Sequence, residues 1–243
     1  MNLSVSERDD WLHWVRVTSI PLVHLGDGDS VLNVGSGMML DHAGCRFLIA
    51  AKHVVKPDAV GWAAVVRQDG RGRLEYYRPN FFTYVGEVKP SKGEVRQLDL
   101  CAAQVSSDLE TWYEYRTPQG LFDKLPHHVF DSRDFCEPKS EQIYGFSGRV
   151  KTERHGADAL VSEMVVYPGL TYSHTEDEVH HFKLPVTHPG HEAFHGCSGS
   201  PIVDVNRKVV GLVVGGDIPS DSIQVVAIER VLPNLAFLAS RFG

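Results

Sequence analysis

Short apolar runs, rich in β-branched and aromatic residues and broken repeatedly by Gly, Pro, Asp and Asn, recur along almost the whole chain. That punctuation, with hardly any sustained helical period, restricts the chain to an all-β sandwich or barrel. Residues 11–17 and 20–25 read as an opening strand or two. Residues 31–40 and 45–55 flank the polar turn Asp41-His42-Ala43-Gly44 and read as a hairpin, with His53 at the end of its second strand. Residues 63–67 and 74–77 flank an Asp-Gly turn signal and form another hairpin. Residues 97–105 are a short apolar run with one carboxylate, Asp99, inside it. The stretch 106–138 is the least patterned and contains Pro118, Pro126 and Pro138; it reads as a connection with short helical turns. Strands resume at 142–150, 159–166, 179–184, 202–205, 209–216 and 222–228. Only 233–242 reads as a helix, opened by Pro233, with Leu235, Phe237, Leu238 and Phe242 as its apolar positions.

With 243 residues the chain can bury a substantial core without staples, and a single domain spanning 1–243 is the reading adopted. The formal net charge of -7 gives no general attraction to nucleic acid or to an anionic membrane, so neither is expected as a partner. No apolar run approaches the ~18 residues a membrane span needs, and residues 1–10 lack a basic-then-apolar signal pattern. A soluble, cytoplasmic protein is expected. The four cysteines, Cys45, Cys101, Cys136 and Cys197, are widely spaced; four free thiols in a reducing compartment is the simplest account, and one or two disulfides remain compatible with the spacing.

Gly196-Cys197-Ser198-Gly199-Ser200-Pro201 leads straight into the apolar run 202–205. A Ser held between glycines just before a strand suggests a tight turn that projects its hydroxyl and leaves backbone NH groups uncovered. Such a turn suits acyl transfer, because the attacked carbonyl becomes an oxyanion that needs donors already aimed at it, here the NH groups of Gly196 and Ser198. A hydroxyl nucleophile also needs a base, and the base needs a partly buried carboxylate to fix its tautomer. His53 at a strand end and Asp99 between leucines are the candidates, although each could equally be ordinary surface or edge-strand polarity.

In the order His, Asp, Ser, these pieces resemble the chymotrypsin-like serine peptidases. The resemblance rests on Gly35-Ser36-Gly37-Met38-Met39, Ile49-Ala50-Ala51-Lys52-His53-Val54, Leu98-Asp99-Leu100, Tyr144-Gly145-Phe146-Ser147 and the nucleophile turn. It implies two packed antiparallel six-stranded β-barrels, at about 11–105 and 139–232, joined by 106–138 and followed by the short helix. It also implies a serine endopeptidase with His53, Asp99 and Ser198 as its triad, the NH groups of Gly196 and Ser198 as its oxyanion hole, and no cofactor or metal. Val213-Val214-Gly215-Gly216 resembles the strand that pairs with the substrate backbone, where the family often has a Ser supporting the catalytic Asp and this sequence shows Val instead. Glu192 falls where a pocket-base residue is often found, which would favour Lys or Arg in the substrate; a solvated loop Glu is the alternative.

Val54 and Phe194 replace the cysteines that secreted members carry, and Cys197 replaces the Asp that pairs with a cleavage-generated N-terminus. The chain therefore resembles cytosolic bacterial members, ordered by their own packing or by a regulatory protein partner, with a protein or peptide as substrate.

Three rivals stay open. His191-Glu192-Ala193-Phe194-His195 spells the zinc-peptidase motif, but Pro189-Gly190 before it and Gly196 after it leave little room for the helix that motif needs. Cys197 could attack in place of Ser198. The fold could also serve as a silent peptide-binding module. Histidines are dense around this stretch, with His174, His180, His181 and His188 joining the pair above; a polar loop near the cleft is the preferred reading, and a structural or inhibitory metal is the alternative.

Overall fold

The computed structural model describes residues 4–55, 61–68, 74–89, 94–117, 119–155 and 159–242. It opens on a helix where the sequence reading placed strand: α1 spans Val5–Arg16. Local signals decide this against the β-branched and aromatic content. Ser4 caps the helix in a reciprocal box, its side chain accepting from the Glu7 NH while its own NH donates to the Glu7 carboxylate at 2.9 Å. Trp11 and Val15, four residues apart, are both buried, and the Trp11 indole donates to the Asp204 carbonyl at 2.8 Å.

The first half then runs β1 (Ile20–Leu25), β2 (Val31–His42), β3 (Cys45–Ala51), the single turn α2 (Lys52–Val55), β4 (Trp62–Gln68), β5 (Leu74–Tyr77), β6 (Thr83–Lys89) and β7 (Glu94–Val105). The Asp-Gly turn between β4 and β5 lies outside the described residues, but the two strands pair antiparallel as expected. The connection is more extended than expected. It holds the hairpin β8 (Trp112–Arg116) and β9 (Phe122–Pro126), then β10 (Val129–Asp131), and a 3-10 turn at Ser132–Asp134. Strand β10 pairs parallel with β2, so this half forms an eight-stranded sheet in the order β5-β4-β1-β2-β3-β7-β6 with β10 beside β2. Among the described residues no pairing closes β5 onto β6, and the sheet is open where the resemblance implied a barrel of six.

The second half is a closed barrel of six strands: β11 (Tyr144–His155), β12 (Ala159–Glu176), β13 (Val179–Lys183), β14 (Pro201–Asp204), β15 (Val209–Asp217) and β16 (Ser222–Ala227). Strand alternation, reset in β15 by a register shift at Val210, feeds two cores at once. Ile202, Val210, Ile223 and Val225 fill the barrel with Tyr144, Phe146 and Phe182. Their neighbours Val203, Val209, Leu212 and Val226 face outward onto Leu40, Phe47, Phe130 and Trp11. That second cluster fuses the halves, and α3 (Leu232–Phe242) closes it with buried Leu235 and Ala239, while Phe237 is 55% exposed. All four cysteines are free thiols. No described helix is long and apolar enough to cross a membrane.

Candidate active site

The histidine and the aspartate are brought together by one strand pairing. Strands β3 and β7 run antiparallel with Ala50 opposite Cys101 and Ala51 opposite Leu100, so the residues just beyond the end of that ladder are the α2 turn on one side and Asp99 on the other. Leu98 and Leu100 point into the core and hold β7 in this register. Asp99 then grips His53 twice: its Oδ1 accepts from the His53 backbone NH at 2.8 Å, and its Oδ2 lies 2.6 Å from the ring Nδ1. Burial alone would raise the Asp99 carboxyl, but the hydrogen bonds and charge of His53, helped by Lys52, outweigh it and leave its pKa below the ordinary carboxylate value. With Nδ1 committed to the carboxylate, Nε2 is the ring atom left for proton transfer.

The nucleophile turn is held by backbone on all sides. Gly196 has φ +99° and Gly199 φ +90°, a region that favours glycine, and a Cβ at either would meet the Arg149 carbonyl at 2.2 Å or the Ser36 carbonyl at 2.0 Å. Glycines at these two positions are therefore a requirement of the turn. The NH of Cys197 goes to the Phe194 carbonyl (2.9 Å), that of Gly199 to Val213 (2.7 Å) and that of Ser200 to Cys197 (2.9 Å). The NH groups of Gly196 and Ser198 have no such acceptor among the described residues. Two uncommitted donors thus flank one hydroxyl, an arrangement suited to a developing oxyanion.

Ser36 fixes this turn against the first half and was not singled out by the sequence except as part of a Gly-Ser-Gly stretch. It is 1% exposed, its hydroxyl donates to the Gly196 carbonyl at 2.7 Å and its NH donates to the Ser198 carbonyl at 2.9 Å.

His53, Gly196 and Ser198 line one cleft of about 350 Å³ together with Val213, Val214, Gly215 and Gly216. Strand β14 pairs with β15 as far as Leu212 and the nucleophile turn bonds Val213 through both its NH and its carbonyl, so only beyond Val213 is β15 paired on its β16 side alone while lining the cleft on the other. Val214 is the extra residue of a bulge in β15, between Val213 and Gly215. The rest of the wall comes from Asn33, Val34, Val54, Phe194 and Ile223, with three imidazoles, His188, His191 and His195, that the sequence reading did not assign to the pocket. Among the described residues no hydrogen bond joins Ser198 Oγ to His53; unliganded catalytic sites are commonly this loose.

Glu192 is exposed on a single 3-10 turn, His191–Phe194, and does not line the cleft, whose wall carries no carboxylate. The same turn is not the α-helix that the zinc-peptidase motif requires, and His191, Glu192 and His195 do not gather as a donor cluster. Cys197 is fully buried, with its sulfur against Gly148, where a Cβ would lie 2.6 Å from it, and burial pushes its thiol up to about 12. It is a packing residue, unsuited to attack.

The fold these elements build is the chymotrypsin-like fold of serine proteases. A crystal structure of the serine endoprotease from Yersinia pestis matches all of this chain and 69% of its own, with a TM-score of 0.55 at 12% identity. The Rv3671c protease of M. tuberculosis, in its inactive form, matches 97% of this chain and 96% of its own, with a TM-score of 0.50 at 16% identity. The likeness is one of fold. The sequence itself matches no protein-family model and no curated protein.

Proposed function

We propose that the protein is a serine endopeptidase acting through an acyl-enzyme. A peptide lies extended along the free side of Val214, Gly215 and Gly216. Ser198 Oγ attacks the carbonyl carbon as His53 Nε2 takes its proton, and Asp99 holds the ring in the required tautomer and stabilises the imidazolium. The carbonyl oxygen gains negative charge in front of the NH groups of Gly196 and Ser198. The imidazolium then protonates the leaving amine, and water repeats the sequence on the ester to release the acid.

The observation that carries this reading is the coincidence of the doubly hydrogen-bonded His53–Asp99 pair with the two uncommitted NH groups around Ser198 in one cleft. A fluorophosphonate probe tests it: labelling is expected at Ser198 and lost in Ser198→Ala, with peptide hydrolysis falling about 10⁶-fold in kcat. If the folded protein is not labelled, the cleft serves peptide binding without cleavage. If chelation stops hydrolysis while Ser198→Ala does not, the serine mechanism is wrong.

A further inference from the structure

The long hairpin β12–β13 carries a second group of titratable side chains, outside the cleft. His174 sits opposite His181 in the strand register, their rings stacked with centroids 4.6 Å apart and planes within 5°. Glu176 lies two residues further along β12, and the donor atoms of the three side chains are all within 4.8 Å of one another.

A register shift between Tyr172 and His174 produces this grouping. Tyr172 pairs with buried Phe182 and packs edge-on against Phe182 and His180. Strict alternation would put His174 on that same inward face. The extra residue, Ser173, flips the alternation, so that Thr175 meets His180 at 2.8 Å while His174 and Glu176 join His181 on the outer face. His174 Nδ1 lies 3.1 Å from the Ser173 hydroxyl, and donation there leaves the lone pair on Nε2.

We propose that His174, Glu176 and His181 bind a divalent d-block cation such as Zn²⁺ or Ni²⁺. Two imidazoles and a carboxylate are the borderline donor set these ions prefer over Ca²⁺ or Mg²⁺. Bonds of about 2.1 Å set the donors roughly 3–3.5 Å apart around one ion. His174 and Glu176 are exposed, so their side chains can rotate toward that spacing. Three protein ligands leave the remaining positions to water. The same hairpin ends at Glu178, whose carboxylate accepts from Arg96 on β7 at 2.6 Å and from Arg230 at 2.7 Å. The ion therefore stiffens an element that ties the barrel to the strand carrying Asp99.

Titration of the intact protein with Zn²⁺ or Ni²⁺ alone, followed by calorimetry and by thermal melting, tests this without any activity readout. One equivalent is expected to bind, raising the melting temperature as a native-state ligand must. The double variant His174→Ala/His181→Ala should lose both the binding event and the shift, while melting as wild type does without metal. Glu176→Gln keeps the shape of the site and should weaken binding by about tenfold or more. Metal binding and stabilisation that persist unchanged in the double variant, or a wild-type protein that takes up no ion, would overturn the assignment.

Discussion

His53 and Asp99 belong to the open sheet of the first half, whereas Ser198 stands at the mouth of the closed barrel, and the two placements rest on different physics. The pair is set within one sheet: the β3–β7 ladder ends where the pair begins, and buried leucines on either side of Asp99 fix which face the carboxylate takes. Its contact with the barrel is indirect, through the shared core where Leu98 and Leu100 pack in one cluster with Leu212 and Val226. The serine turn is instead shared. Its glycines and its own backbone bonds fix its shape, but its position relative to the imidazole depends on Ser36 of β2, which contacts the turn at both Gly196 and Ser198. The unmade bond between Ser198 and His53 falls across that boundary. The shape of each part is thus fixed within its own half, and the alignment between them is fixed by the contacts of Ser36.

Asp99→Asn should break the comparison most sharply on the first side. The amide keeps the shape but favours the wrong tautomer of His53, so kcat should fall about 10⁴-fold with little change in KM. A second readout follows from the lowered carboxyl. A group whose folded pKa lies below its unfolded value contributes stability at pH above the unfolded value and loses it as pH falls through the folded one. Wild type should therefore lose stability through the acid carboxylate range more steeply than Asp99→Asn, measured by denaturant midpoints against pH. Parallel acid curves for the two proteins would mean that Asp99 is not held as the geometry indicates.

Much of this organisation is written in local sequence. Gly196 and Gly199 announce the turn because no other residue fits beneath the Arg149 and Ser36 carbonyls, and the apolar neighbours of Asp99 announce a carboxylate on a core strand. What stayed hidden depends on contacts between distant segments. The opening helix has a local signal, the Ser4-x-x-Glu7 box, which a reading from the aromatic and β-branched content of 11–17 passes over. The parallel pairing of β10 with β2 leaves no periodic trace in a three-residue strand. The histidine-rich stretch reads as a polar loop near the cleft, but which of its imidazoles line the wall, His188, His191 and His195, is set by tertiary folding of a proline- and glycine-containing loop.

Ser36→Ala sharpens the second side of the comparison with a smaller effect. Removing the hydroxyl leaves the buried Gly196 carbonyl without that donor, at a cost of about 1–3 kcal/mol in stability. If the serine turn takes its alignment from Ser36, kcat and the rate of fluorophosphonate labelling should also fall, by up to about 10²-fold, the size expected of a small misplacement of a reacting group. A variant that is less stable but labels at the wild-type rate would show that the barrel positions the turn by itself.

The smallest effect is expected at Glu192, and it bears on which surfaces of the second half belong to the cleft at all. The position invites a role in selecting Lys or Arg, yet the side chain is exposed on the His191–Phe194 turn and the cleft wall holds imidazoles, aliphatic groups, Asn33, Phe194 and Ser198 but no carboxylate. An exposed charge of this kind is worth little across water and salt. Glu192→Gln should therefore leave the ratio of kcat/KM for basic and apolar residues before the cleaved bond unchanged within about twofold, the scale of an ordinary surface substitution. A selective loss of cleavage after Lys and Arg would instead require the turn to swing its carboxylate into the cleft when substrate binds, and the barrel side of the site would then be the mobile one.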